Sequence, residues 1–258
     1  PRYSSLPIDP AMPPRSAWGV FGADDQVGTV NLLTAERIAK AASLVRKGVV
    51  FSLNWEMEKP HPPILGRKPL QHTIIDLTPG TDDTKWGTDD YYSDYWTQSS
   101  TQWDALSHMP HPEYGYYNGV QRADITGREG SRNGIENWGR RGIAGRFVLA
   151  DVARLYASQG RPIDASMRVE IPIHAVQEAL DTQGVRLEGG DILMIRMGWI
   201  NWYDKASMET RIAISKLGGP ELQAPGISAD ESTLEWLWDN QVAAVGCDVP
   251  ALEAMPYT

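Results

Sequence analysis

The sequence predicts an α/β fold, on three observations. Segments whose apolar residues recur at helical spacing interleave along the chain with short alternating or continuous apolar segments. No composition break, internal repeat or low-complexity stretch separates them. At 258 residues, 41% hydrophobic and 22% charged, the chain has ordinary globular composition and can bury a core without disulfides or a structural metal.

Residues 1–17, with prolines at 1, 7, 10, 13 and 14, read as an extended N-terminal arm, and 18–258 as one domain. Thr34 caps a helix expected to run to Lys47, with Ile38, Ala41, Ala42 and Val45 on one face and Gly48 as its stop. Val49, Phe51, Leu53 and Trp55 then alternate with Val50, Ser52 and Asn54 as a half-buried strand. A Pro/Gly loop over 59–69 leads to a second strand, 71–77, and then to a long acidic, Tyr-rich surface loop over 78–95. The Gly- and Arg-rich stretch 127–145 reads as loop and 147–152 as a short apolar strand. Ile171-Pro172 opens a helix with Ile173, Val176, Ala179 and Leu180 on its buried stripe, ended by Gly184. Residues 192–197 form a strongly apolar strand. Ser228 and Glu231 suggest a capping box for a helix over 229–240, and 242–245 is a last buried strand.

Charge and composition exclude several functions. Thirty-three Asp+Glu against 24 Lys+Arg give a net charge of −9, and no basic run exceeds two residues, which argues against nucleic acid as partner. No stretch approaches 18 consecutive apolar residues, so no membrane span is expected. The arm lacks the apolar region of a signal peptide, and Cys247 is the only cysteine; both fit a cytoplasmic protein. Ten Trp and 10 Tyr against 3 Phe favour aromatics with a polar handle, which suit pockets and interfaces for a small molecule.

The chemistry is concentrated between 98 and 108. Gln98, Gln102, Asp104 and His108 set amide, carboxylate and imidazole groups within one short segment. On an extended chain Gln102 and Asp104 point the same way; on a helical turn Asp104 and His108, at i and i+4, share a face. Such oxygen and nitrogen donors suit a hard or borderline divalent ion, and equally a polar loop with one ion pair. Their tips are expected to converge in an enclosed hollow. Gly-x-Ser-x-Gly does not occur, and no base is identifiable for Cys247, so neither a serine nor a cysteine nucleophile is indicated.

The run Gln98-Ser99-Ser100-Thr101-Gln102-Trp103-Asp104-Ala105-Leu106-Ser107-His108 resembles the His-x-Gly-Thr-His-x-Asp-x-Pro-x-His motif of the cyclase family of metal-dependent hydrolases, which includes bacterial kynurenine formamidase and isatin hydrolase. Thr101, Asp104 and His108 match it. The resemblance extends to Trp18-Gly19, Asp24-Asp25-Gln26-Val27-Gly28-Thr29, Asn31-Leu32-Leu33-Thr34, Gly142-Ile143-Ala144-Gly145-Arg146 with Asp151, and Gly190-Asp191-Ile192-Leu193 with Arg196, Gly198 and Trp199. It ends with Gly246-Cys247-Asp248 followed by Pro250, Glu253 and Pro256. It implies a swivelling β/β/α barrel-like domain with peripheral helices, assembled as a homodimer or homotetramer, and a further C-terminal segment carrying a His and a Glu that this sequence does not contain.

The resemblance also implies a hydrolase that opens a cyclic or aryl amide, a lactam or a lactone with water activated by Mn or Zn. The metal would lie on Gln98, Gln102 and Asp104, with His108 and Asp104 catalytic and His72 binding substrate; Trp18 and Trp103, with Tyr114, Tyr116 and Tyr117, are expected from their aromatic rings to line the same substrate pocket. Glutamine stands where the family has its first two histidines, and a neutral amide oxygen is the weaker donor. Two alternatives therefore stay open: a metal-free isomerase, dehydratase or cyclase using the Asp104–His108 pair, and a non-catalytic small-molecule binder.

Overall fold

A computed structural model of the chain describes residues 1–77 and 87–257. Their contacts cluster into two compact units, Pro1–Val49 with Asp104–Lys205 and Gln223–Thr258, and Val50–Trp103 with Ala206–Leu222. Nothing in the composition marks this division. In chain order the elements are α1 (Ala35–Ala42), β1 (Gln71–Asp76), β2 (Thr88–Ser93), α2 (Glu136–Arg141), β3 (Phe147–Asp151), α3 (Val152–Ser158), β4 (Glu170–Ile171) and α4 (Ile173–Gln183). There follow β5 (Ile192–Arg196), α5 (Trp199–Lys205), α6 (Met208–Ser215), β6 (Gly226–Ile227), α7 (Glu231–Asp239) and β7 (Ala244–Cys247). The fold is mixed α/β, with parallel and antiparallel pairs, and among the described residues no sheet closes into a barrel.

The first unit is built on a parallel sheet in the order β3-β5-β7, with Val148 opposite Leu193 and Leu193 opposite Val245. Strand side chains alternate, so Val148, Ala150, Leu193 and Ile195 enter one core with Val176, Ala179 and Leu180 of α4. Leu193 and Leu180 are wholly buried, and each such side chain stabilises the fold by roughly 2 kcal/mol of transfer free energy. Ile192 packs instead against Val30, Leu33 and Ala243. Pro172 precedes α4 and Gly184, with φ +67°, ends it in the left-handed conformation that favours glycine. Because β3, β5 and β7 run parallel, Asp151, Arg196 and Cys247 reach the same carboxyl edge of the sheet.

The N-terminal arm lies on its own chain. The Tyr3 amide donates to Asp239 Oδ1 at 2.7 Å, and the Trp238 indole donates to the Pro1 carbonyl at 3.0 Å. Tyr3 and Leu6 are buried, and the Arg15 guanidinium stands 5.6 Å from the centre of the Tyr3 ring. In the second unit β1 and β2 pair antiparallel, from Gln71 opposite Ser93 to Asp76 opposite Thr88.

Several boundaries differ from expectation. The first helix ends at Ala42 rather than near Lys47, and no residue of it is buried; with Leu44 and Val45 exposed, no core contact extends it. The alternating run 49–55 forms no strand. Val50 is 90% and Phe51 79% exposed, since alternation becomes a strand only where a second strand accepts its backbone hydrogen bonds. The expected loop 78–95 contains β2, while 78–86 lie outside the described residues. The cap of α7 is Asp230, whose Oδ1 accepts from the Thr233 amide at 3.0 Å, so Ser228 and Glu231 form no capping box across that terminus.

Candidate active site

Asp104 and His108 come together on a tight turn of the first unit. The His108 amide donates to the Ala105 carbonyl at 2.9 Å, which folds the segment back and brings His108 Nε2 to 3.7 Å from Asp104 Oδ1. The i and i+4 spacing thus acts through a turn, not a helix face. Leu106 points inward: a Cβ added at Gly28 would meet its side chain at 3.6 Å. Asp104 and His108 point outward, with side chains 51% and 34% exposed. Within the first unit the pair therefore lies at the surface of its turn. The turn's one large apolar residue takes the inward position and leaves its polar tips to solvent. His108 Nδ1 has no hydrogen-bond partner among the described residues.

Beside the turn lies a polar cluster organised by Asp25. Its carboxylate accepts from the Gly28 amide at 2.7 Å, from Asn31 Nδ2 at 2.6 Å and from the Tyr117 hydroxyl at 2.9 Å. Burial first, and then the Asp25 charge, push the Tyr117 phenol well above its usual range. Tyr117 is thus a fixed hydrogen-bond donor. Asn118, with φ 54°, caps the cluster: its Oδ1 accepts from the Gly19 amide, and its Nδ2 donates to the Gly22 and Asp25 carbonyls. Trp18 packs over Gly119, where an added Cβ would meet the indole at 3.5 Å.

At the carboxyl edge of the sheet, the Asp248 carboxylate accepts from the Met197 and Gly198 amides at 2.6 and 2.8 Å. Burial nevertheless raises its affinity for a proton. Burial also pushes the Cys247 thiol up to about 12, with the Asp248 and Glu253 charges adding to the shift. Tyr257 is raised by burial and then by the charges of Glu253, Asp104 and Cys247. Asp104 is thus within electrostatic reach of the segment that follows β7. Sequence reasoning did not make Tyr257 a candidate, and no motif marks it; Glu253 stood out only through the late block of the resemblance.

The remaining candidates are divided between the units. Trp18 shares the first unit with Asp104 and His108, whereas His72, Gln98, Gln102 and Trp103 belong to the second. His72 Nε2 is bound to Asp90 Oδ2 across the hairpin at 2.8 Å, and its ring lies 4.7 Å from that of Tyr92. Gln98 Oε1 accepts from the Thr97 hydroxyl at 3.0 Å. Gln102 Oε1 is buried without a partner, and Trp103 is 43% exposed. Of the expected metal ligands, the first unit supplies Asp104, with His108 beside it. One carboxylate and one imidazole fall short of the three protein ligands of a catalytic zinc site. Among the described residues no group of three His, Cys, Asp or Glu side chains could hold a metal ion. The donors of the first unit alone do not fit a Zn or Mn centre.

Known proteins bear on this geometry. Residues 68–254 match the family model described as "Putative cyclase". A crystal structure of a novel cyclase is 32% identical in sequence, with a TM-score of 0.78 over 92% of this chain and 76% of that one. No curated protein matches the sequence significantly.

Proposed function

The chain belongs to the cyclase family, and on that premise we propose that it is an enzyme hydrolysing a cyclic or aryl amide, or a lactone, of a small molecule at the Asp104–His108 turn. The observation that carries this reading is the 3.7 Å approach of His108 Nε2 to Asp104 Oδ1, with Nδ1 unengaged and the pair open to solvent. The carboxylate favours the tautomer with the proton on Nε2, which leaves Nδ1 as the acceptor. The separation exceeds a hydrogen bond, as catalytic contacts often do before substrate tightens them.

In this reading Nδ1 takes a proton from a water as its oxygen bonds to the carbonyl carbon. The imidazolium is held against Asp104. It returns the proton to the leaving nitrogen or oxygen as the carbon–nitrogen or carbon–oxygen bond breaks. Run backwards, the same steps close a ring. The family's swivelling barrel and an assembly of two or four copies belong to the same reading.

A panel of aryl amides, lactams and lactones, assayed with and without chelator, tests it. Turnover by the wild type that falls by about 10²- to 10⁴-fold in Asp104→Asn supports the reading. Binding without turnover would make the chain a non-catalytic binder. Near-stoichiometric zinc or manganese in the purified protein, with activity lost to chelator, would overturn the metal-free chemistry.

A further inference from the structure

Asp104 and His108 approach one another on an exposed turn, and nothing in the pair itself keeps them together. An attraction between solvent-exposed groups is too weak to offset the conformational freedom of a short surface turn. The His108–Ala105 backbone hydrogen bond closes the turn, and two further contacts hold it from outside; both lead back to residues 26–28.

The first contact runs through Asn133. Gln26 Oε1 accepts from the Asn133 amide at 2.7 Å, and the Asn133 carbonyl accepts from the Ser107 amide at 3.1 Å. Asn133 is 1% exposed and sits at φ 58°, a left-handed conformation that asparagine tolerates better than most residues. Its Nδ2 donates to the Tyr117 carbonyl at 3.0 Å, tying it to the Asp25 cluster. The second contact is the seat of Leu106 against Gly28. Residues 106 and 107, between Asp104 and His108, are thus gripped from one segment by packing and by a relayed hydrogen bond.

We propose that Gln26 is a positioning residue: through Asn133 and Ser107 it holds His108 within reach of Asp104. The proposal rests on the reading of Asp104 and His108 as the reacting pair. Its role reaches the reaction through backbone only, so the side-chain oxygen at position 26 is what matters.

The test compares Gln26→Leu, which removes the acceptor, with Gln26→Glu, which keeps one, in the full chain. Amide exchange read by NMR is expected to rise about tenfold at Ser107 in the leucine variant, with Leu193 in the central strand unchanged. Crystal structures should show His108 Nε2 and Asp104 Oδ1 beyond ion-pair distance in Gln26→Leu and still adjacent in Gln26→Glu. Gln26→Ser, polar but too short to reach, replaces the leucine variant if that one does not fold. With a substrate from the panel, kcat should fall about tenfold while KM changes less than about twofold. An unchanged separation in the leucine or serine variant, or equal loss in the glutamate variant, overturns the proposal. So does full kcat with the pair separated. Absence of turnover in the wild type would overturn the hydrolase reading alone, because exchange and separation are read without substrate.

Discussion

Arg146 grips Asp191 with a two-pronged hydrogen bond, Nε to Oδ1 and Nη2 to Oδ2, each 2.8 Å long. The two residues stand at the heads of β3 and β5, where the Ile192 amide also donates to the Arg146 carbonyl. Asp191 is 2% exposed and further accepts from the Glu188 amide at 2.6 Å. The Asp191 hydrogen bonds are the main reason that the Arg146 guanidinium holds its proton even more tightly than usual.

Removing one partner of such a pair leaves the other with fewer hydrogen bonds. Asp191→Ala is expected to destabilise the protein by about 2 kcal/mol, because it removes two hydrogen bonds from the guanidinium, which keeps the Arg186 carbonyl and Glu188, and leaves the Glu188 amide without its acceptor. Urea unfolding should show a lower midpoint with little change in slope. A loss comparable to that of a surface substitution would mean that the pair does not set the register of β3 on β5.

Cys247 ends β7 at the carboxyl edge of the sheet. With its thiol pushed up to about 12, almost none of it is thiolate near neutrality. Iodoacetamide at about pH 8 should leave the folded chain unmodified while labelling the urea-unfolded chain readily. Rapid labelling of the folded form would instead reveal an available nucleophile and favour a covalent mechanism.

Asp230 makes stability depend on pH. The Ser232 hydroxyl, then the Thr233 amide and the Ser228 hydroxyl, hold its carboxyl down at about 2, below its ordinary 3.8. A group depressed in the folded state contributes stability above its unfolded value, and that contribution disappears as pH falls through the folded one. Asp230→Ala should therefore cost about 1 kcal/mol near neutrality, the usual worth of a helix cap. The difference from wild type should shrink between about pH 4 and pH 2. A constant difference across that range would locate the effect in helix propensity rather than in the cap.

What was legible in the sequence follows from how local each signal is. The three parallel strands were visible as short apolar runs, as at 147–151 and 192–196, although β3 leaves Phe147 and Leu149 exposed on one face and β7 starts at Ala244, two residues after the expected 242. Helix α4 was visible because Pro172 and Gly184 bracket an apolar stripe. The run 49–55 failed for the opposite reason: its alternation is local, but a strand needs a partner that no local pattern announces. Asp104 and His108 were found by spacing, which a turn honours as well as a helix does. The parts played by Gln26, Asn133 and Tyr257 depend on residues far apart in the chain that meet only in the fold, Gln26 and Asn133 being 107 positions apart.

The order β3-β5-β7 has a consequence for how the protein is made. Its neighbouring strands begin about 45 and 50 residues apart in the chain, each joined to the next through helices. As the ribosome releases residues up to Arg196, β5 pairs with β3 but presents a bare edge until Ala244–Cys247 follows. For those seconds the nascent chain carries an open apolar strand, the kind of template that recruits a second nascent chain. Chaperone dependence during synthesis should accordingly centre on the interval between the emergence of β5 and that of β7.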